Sequence, residues 1–186
     1  MSFAATPDYR RSLGRKSRMA ETRIEHVLSC TDDTFWKVFF DPAFNQKLYY
    51  EILGFESWKL VSLDDKEDTI ERVVDVVPKM EGLPGPLKKL VEGGAGYREK
   101  ALFTKSKKRL TMTATPTVLE GKLTISGVMF TEPVGADKVR RVYDQSVTAK
   151  VFGVGGLIEN RIIADVKASY DKATAFTNQW VKDHNL

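Results

Sequence analysis

Few side chains in this sequence can carry chemistry, and most of them sit at alternating positions within apolar segments. His26 lies between Ile24 and Leu28 in TRIEHVLS, Glu99 is in phase with Tyr97, Ala101 and Phe103, and Tyr143 with Val139, Arg141, Gln145 and Val147. An imidazole, a carboxylate and a phenol spaced in this way share one strand face with apolar neighbours, where they can orient a ligand or exchange a proton with it. Met112 and Ala114 mark the same face on one further segment and Met129 on another. The expected lining of a binding site is therefore His26, Tyr97, Glu99, Phe103, Met112, Ala114, Met129 and Tyr143. That is a mostly apolar surface with a few placed polar groups. The competing reading makes His26 a bonded core residue and pairs Glu99 with Arg141 across the outer face of a sheet.

Other chemistries find little support. No Ser or Cys is placed to turn His26 into part of a nucleophilic triad, and Cys30 sits at a strand-to-helix turn without a basic flank. One cysteine excludes an internal disulfide or a cysteine-based zinc site, and His26 and His184 alone argue against a histidine metal centre. Phe152-Gly153-Val154-Gly155-Gly156 lacks the Lys-Ser/Thr of a phosphate loop, and its third glycine is displaced from a dinucleotide fingerprint. It reads as a turn in which glycine permits close backbone approach. No catalytic residue, cofactor or metal is expected.

The elements that hold these residues follow from periodicity. Thr22–Ser29 alternates as a strand. Thr31-Asp32-Asp33 caps a helix through Phe40, which Asp41-Pro42 stops. A second short helix is expected over Ala43–Leu53. Strands at Phe55–Leu63 and Thr69–Val77 form a hairpin, and Leu83–Val91 is a loop with one helical turn. Further strands are expected at Gly96–Lys105, Arg109–Thr117, Lys122–Pro133 and Lys138–Val151. A long helix over Leu157–Asp183 buries Ile158, Ile162, Val166, Ser169, Ala173, Phe176 and Trp180 at spacings of three and four. An antiparallel sheet has to bury one face, and only this last helix is long enough to cover it. A strongly curved sheet around one helix leaves a space between them.

This order, with VFGVGGLI feeding Glu159-Asn160-Arg161 and Trp180 near the end of the last helix, resembles the START-like superfamily. Its members share the helix-grip fold with birch-pollen-type allergens and polyketide cyclase-like proteins, and the closest likeness is to bacterial members of unknown function. The resemblance spans residues 22–184 and implies an α+β fold with a curved antiparallel sheet around a C-terminal helix. It further implies non-enzymatic binding, with or without transfer, of a hydrophobic small molecule or lipid; the alternatives are a cyclase- or hydratase-type enzyme and a peripheral interaction module.

The chain has 186 residues and a net charge of +4, a length expected for one domain. Residues 1–18 hold five basic residues against Asp8 alone, so the remaining body carries 24 basic and 24 acidic residues and is neutral. A nucleic-acid-binding body would carry its excess within the fold, so none is expected. The segment 1–18 lacks an apolar face and reads as a disordered basic extension before a START-like domain over 19–186. Faintly, it also resembles an organellar transit peptide, the alternative to a cytoplasmic location. A monomer is expected. Transient contact with an anionic membrane is expected through the tail, or through Leu87, Leu90 and Val91 beside Lys88 and Lys89. The alternative makes those leucines a cap on the core.

Overall fold

The structure, a computed structural model, describes residues 19–92 and 94–186. The extension expected over residues 1–18 lies outside the described residues. Alternating polarity builds seven strands: β1 (Ala20–Leu28), β2 (Ser57–Asp65), β3 (Thr69–Val77), β4 (Tyr97–Thr104), β5 (Arg109–Pro116), β6 (Leu123–Gly135) and β7 (Lys138–Ala149). The helices are α1 (Asp32–Phe40), α2 (Pro42–Gln46), α3 (Gly85–Leu90) and α4 (Gly155–Asp183). Thr31 caps α1 by accepting from the Thr34 amide at 3.2 Å. Asp41 caps α2 by accepting from Ala43 and Phe44 at 2.7 and 3.0 Å, with Pro42 in the first turn.

The second helix differs from expectation. It begins at Pro42 and widens into a π-helical segment over Lys47–Ile52. Adding a residue to the turn changes the helix phase. Leu48 is buried, Tyr49 packs against the core, and Tyr50 reaches edge strand β2. Its hydroxyl accepts from the Trp58 amide at 3.1 Å and donates to the Trp58 carbonyl at 2.9 Å, occupying backbone groups that an edge strand would otherwise leave open.

The sheet is antiparallel throughout, in the order β1-β7-β6-β5-β4-β3-β2. Only β1 and β7 pair across a long stretch of sequence. The register places Glu99 between Val74 and Ala114, and Ala114 opposite Ile125. An irregularity at Pro133/Gly135 lies beyond Tyr143, so the inward phase of Arg141, Tyr143, Gln145 and Val147 is preserved. Glu99 and Arg141 therefore both face inward and do not meet, which overturns the outer-face pairing.

Along α4 the expected stripe faces the protein, with Ile158 and Trp180 buried and Val166, Ala173 and Phe176 packed against the core. The helix starts two residues before Leu157. A Cβ at Gly155 would lie 2.4 Å from the Ala149 carbonyl oxygen, so the glycine run serves this close approach rather than a phosphate. No helix among the described residues is long and apolar enough to cross a membrane. A domain of this size usually has one contiguous core with small satellites; among the described residues there are three clusters. The largest joins α1, α2 and the C-terminal half of α4 to the sheet. A second surrounds Trp58, Val74 and Val76, and a third surrounds Leu87, Ala149 and Ile158.

Candidate functional site

Where these clusters approach one another, the inner face of the sheet turns polar. Alternation on β4 brings Glu99 inward between Tyr97 and Ala101, and alternation on β3 brings Arg72 inward between Ile70 and Val74. The Arg72 Nη2 donates to Glu99 Oε1 at 2.9 Å, and the two side chains are only 4% and 12% exposed. Arg72 Nε and Nη1 have no hydrogen-bond acceptor. Instead the guanidinium sits 4.6 Å from the Phe39 ring centroid and 5.7 Å from that of Phe40. The aromatic faces of α1 thus take the place of acceptors for a cation that is weakly hydrated to begin with.

Four tyrosines converge on this pair from four elements. Tyr49 comes from the π-helical segment and stacks on Trp58 at 5.5 Å. Tyr97 and Tyr143 come from β4 and β7, and Tyr170 comes from α4, stacked on Tyr143 at 4.7 Å. Space for the Tyr143 ring exists because residue 127 is glycine: a Cβ there would lie 2.4 Å from the ring. Burial pushes all four phenols above the usual tyrosine range, and the nearby Glu99 charge pushes each in the same direction. Tyr49 rises to about 12. The hydroxyls are therefore neutral hydrogen-bonding groups near neutral pH. Tyr49, Tyr97, Tyr170, Met112 and Ala114 face inward yet are only half-buried, so each keeps some accessible surface. Gln145 is buried on the same face, with its Oε1 free of any partner.

A second polar group lies under α4. Arg141 Nη2 donates to Thr174 Oγ1 at 2.8 Å and to the Tyr170 carbonyl at 3.3 Å, and meets His26 Nδ1 at 3.2 Å. Its guanidinium lies 4.5 Å from the Tyr170 ring centroid, and burial holds it below the usual arginine range. His26 Nε2 meets Asp171 Oδ1 at 2.7 Å. With Nδ1 facing a donor, the Nε2 carries the proton and donates to Asp171.

Of the expected lining residues, the structure thus gathers Tyr97, Glu99, Met112, Ala114 and Tyr143. Phe103 and Met129 point inward but are packed solid, Phe103 against Trp36 at 4.1 Å. His26 points inward toward α4, where its partners hold it. Arg72, Tyr49 and Tyr170 complete the group without having been expected. Arg72 carried a readable signal, being in phase with Ile70, Val74 and Val76. Burial raises the Cys30 thiol to about 11, which leaves it protonated and unreactive. Among the described residues no set of three His, Cys, Asp or Glu could hold a metal ion.

A curved antiparallel sheet closed by one long C-terminal helix, with two short helices after the first strand, defines the helix-grip fold. Solved structures agree. The Zhui aromatase/cyclase from a Streptomyces species superposes with a TM-score of 0.66 at 10% identity, covering 91% of this chain and 97% of that one. A norcoclaurine synthase point mutant from Thalictrum flavum gives 0.63 at 16% identity, covering 93% and 100%. The protein TTHA0849 from Thermus thermophilus gives 0.63 at 14%, covering 90% and 100%. The chain itself belongs to the DUF2505 family, described as a protein of unknown function, whose model matches residues 23–181. Among curated proteins none matches it.

Proposed function

We propose that this protein binds a small molecule with an apolar, ring-containing body and at least one hydrogen-bond donor, held between the sheet and α4. The observation that carries this reading is the Arg72–Glu99 pair beneath four neutral phenols on an otherwise apolar inner face. A buried ion pair gives a fold little net stability compared with apolar residues of the same volume. Its place in the interior is better explained by a ligand than by packing. Glu99 would accept from the donor of the ligand, the tyrosines would orient its polar groups, and Met112 and Ala114 would meet its apolar body. Burial of that body would supply most of the affinity, at roughly 25 cal/mol per Å². Two fold neighbours support a ring-shaped ligand by analogy: one is named an aromatase/cyclase, and a norcoclaurine synthase structure contains dopamine and hydroxybenzaldehyde.

A second reading makes the same group catalytic, with Glu99 as base and a tyrosine hydroxyl as acid. The convergence of a carboxylate and four phenolic donors favours it. Mass spectrometry of small molecules extracted from the purified protein, followed by titration with the molecule recovered, tests both. Binding that weakens at least tenfold in Glu99→Gln, without turnover by the wild type, supports the carrier. Turnover that disappears in Glu99→Gln while binding persists supports the enzyme. A protein that yields no small molecule and binds no phenolic or apolar probe refutes both.

A further inference from the structure

One end of the molecule presents an apolar tip surrounded by lysines, away from the interior group. Leu87 on α3, Ala149 at the end of β7 and Ile158 on α4 form the cluster beneath it, together with Val151 and Val154. Leu87 is therefore committed to the core, and Leu90 packs half-buried against it. Between Val151 and Val154 the chain turns tightly, the Gly155 amide donating to the Val151 carbonyl at 2.9 Å. This turn holds Phe152 wholly in solvent, at 105% relative exposure. Leu157, on the first turns of α4, and Met80 are exposed as well. Met80 is brought to the same end by the next two residues, whose carbonyls accept from Arg161 at 3.1 Å.

The charges around this tip are unevenly engaged. Lys79 pairs with Glu81 and Arg161 with Asp165, and Glu159 accepts from the Ala149 amide. Lys88 and Lys89 are exposed on α3, while Lys122 and Lys150 are exposed side by side, the Lys150 amide donating to the Lys122 carbonyl at 2.7 Å. Glu92 and Glu120 are the acidic residues left to face these four lysines in the same segments. A phenyl ring in water contributes nothing to folding, and a turn that projects it from two half-buried valines is built to place it against something apolar. Exposed apolar side chains on segments that also carry free lysines match the acyl boundary and the phosphates of an anionic bilayer.

We infer that this end docks on an anionic phospholipid surface, with Phe152 as the inserting side chain and Leu157, Lys122 and Lys150 beside it. The inference does not rest on the interior binding site. Full-length protein is sedimented with vesicles of phosphatidylcholine alone and with vesicles in which about a third of the lipid is phosphatidylglycerol. The tail is identical in every variant and its contribution therefore cancels. The wild type is expected to bind the anionic vesicles, Phe152→Asp to lower the partition coefficient by about tenfold or more, and the pair Lys122→Glu, Lys150→Glu to remove most of the preference for anionic lipid. Lys59→Glu, on the distant strand β2, should change nothing. In Phe152→Trp the emission of the added indole should shift to the blue with vesicles. Equal partition of Phe152→Asp and wild type, an unmoved emission in Phe152→Trp, or no wild-type binding overturns the inference. So does self-association without lipid that Phe152→Asp abolishes, since the tip would then be a contact between copies.

Discussion

Arg72 and Glu99 depend on each other more than on the rest of the fold. Removing one partner strands the other as an uncompensated charge, whereas replacing both with apolar residues removes the problem altogether. Arg72→Met is therefore expected to cost about 3–5 kcal/mol in urea denaturation, and Arg72→Met with Glu99→Leu to recover most of it. The double variant should fold and fail to bind a phenolic ligand. The tyrosines give a second prediction. Each folded-state phenol holds its proton to higher pH than the ordinary value of about 10. Their contribution to stability is thus complete below that value and is lost as pH rises toward the folded values, about 12 for Tyr49. Denaturation midpoints should fall above pH ~10, and tyrosinate absorbance from these four should appear together with unfolding. Separate, reversible ionisation in the folded protein would show that they are solvated. At this scale the sequence was half legible. Phase identified Tyr97, Glu99 and Tyr143, but phase gives the face and not the partner, so neither the turn of His26 toward Asp171 nor the approach of Arg72 to Phe39 could be read from it.

Gly155 and Gly127 act through whole elements. At Gly155 the obstacle to a Cβ is the Ala149 carbonyl, which belongs to the backbone and cannot rotate away. Gly155→Ala should therefore push the start of α4 off β7 and lower the thermal midpoint, costing about 1–3 kcal/mol. Gly127→Ala instead meets the ring of Tyr143, a side chain that can move, though only by giving up its stack on Tyr170. It should spare the fold more than Gly155→Ala does, and weaken ligand binding more. Measuring stability and binding for both variants separates the two roles. The strands and α4 were legible because their patterns repeat over eight residues or more. The π-helical segment was not, because six residues are too few to distinguish one wide turn from an ordinary helix. That wide turn is what brings Tyr49 to the interior while Tyr50 closes β2.

For the molecule as a whole, the placement of α4 decides where a ligand can go. The helix packs chiefly on β1 and β7, so the inner faces of β4 and β5 are not sealed by it, and Tyr97, Met112 and Ala114 keep accessible surface there. Two open hollows are found among the described residues, about 580 Å³ lined by residues of β1, β5, β6 and β7, Met112 and Gln145 among them, and about 620 Å³ beside the C-terminal end of α4. Each carries Ser and charged or amide side chains, and neither includes Arg72, Glu99 or the four tyrosines. The sequence predicts a sheet curved around a helix, yet only the register shows which residue stands at the centre of the exposed inner face. That residue is Ala114, opposite Glu99 on one side and Ile125 on the other. Ala114 is half-buried, so a side chain added there is not forced into a packed core. Ala114→Trp is accordingly expected to abolish binding of an apolar fluorophore that the wild type holds in the micromolar range, about 8 kcal/mol, while the protein stays folded by circular dichroism. Ala101→Trp, one pair along β4 and buried, should unfold the protein instead. If Ala114→Trp binds the fluorophore like the wild type, the ligand site lies in one of these two hollows and not beside Glu99.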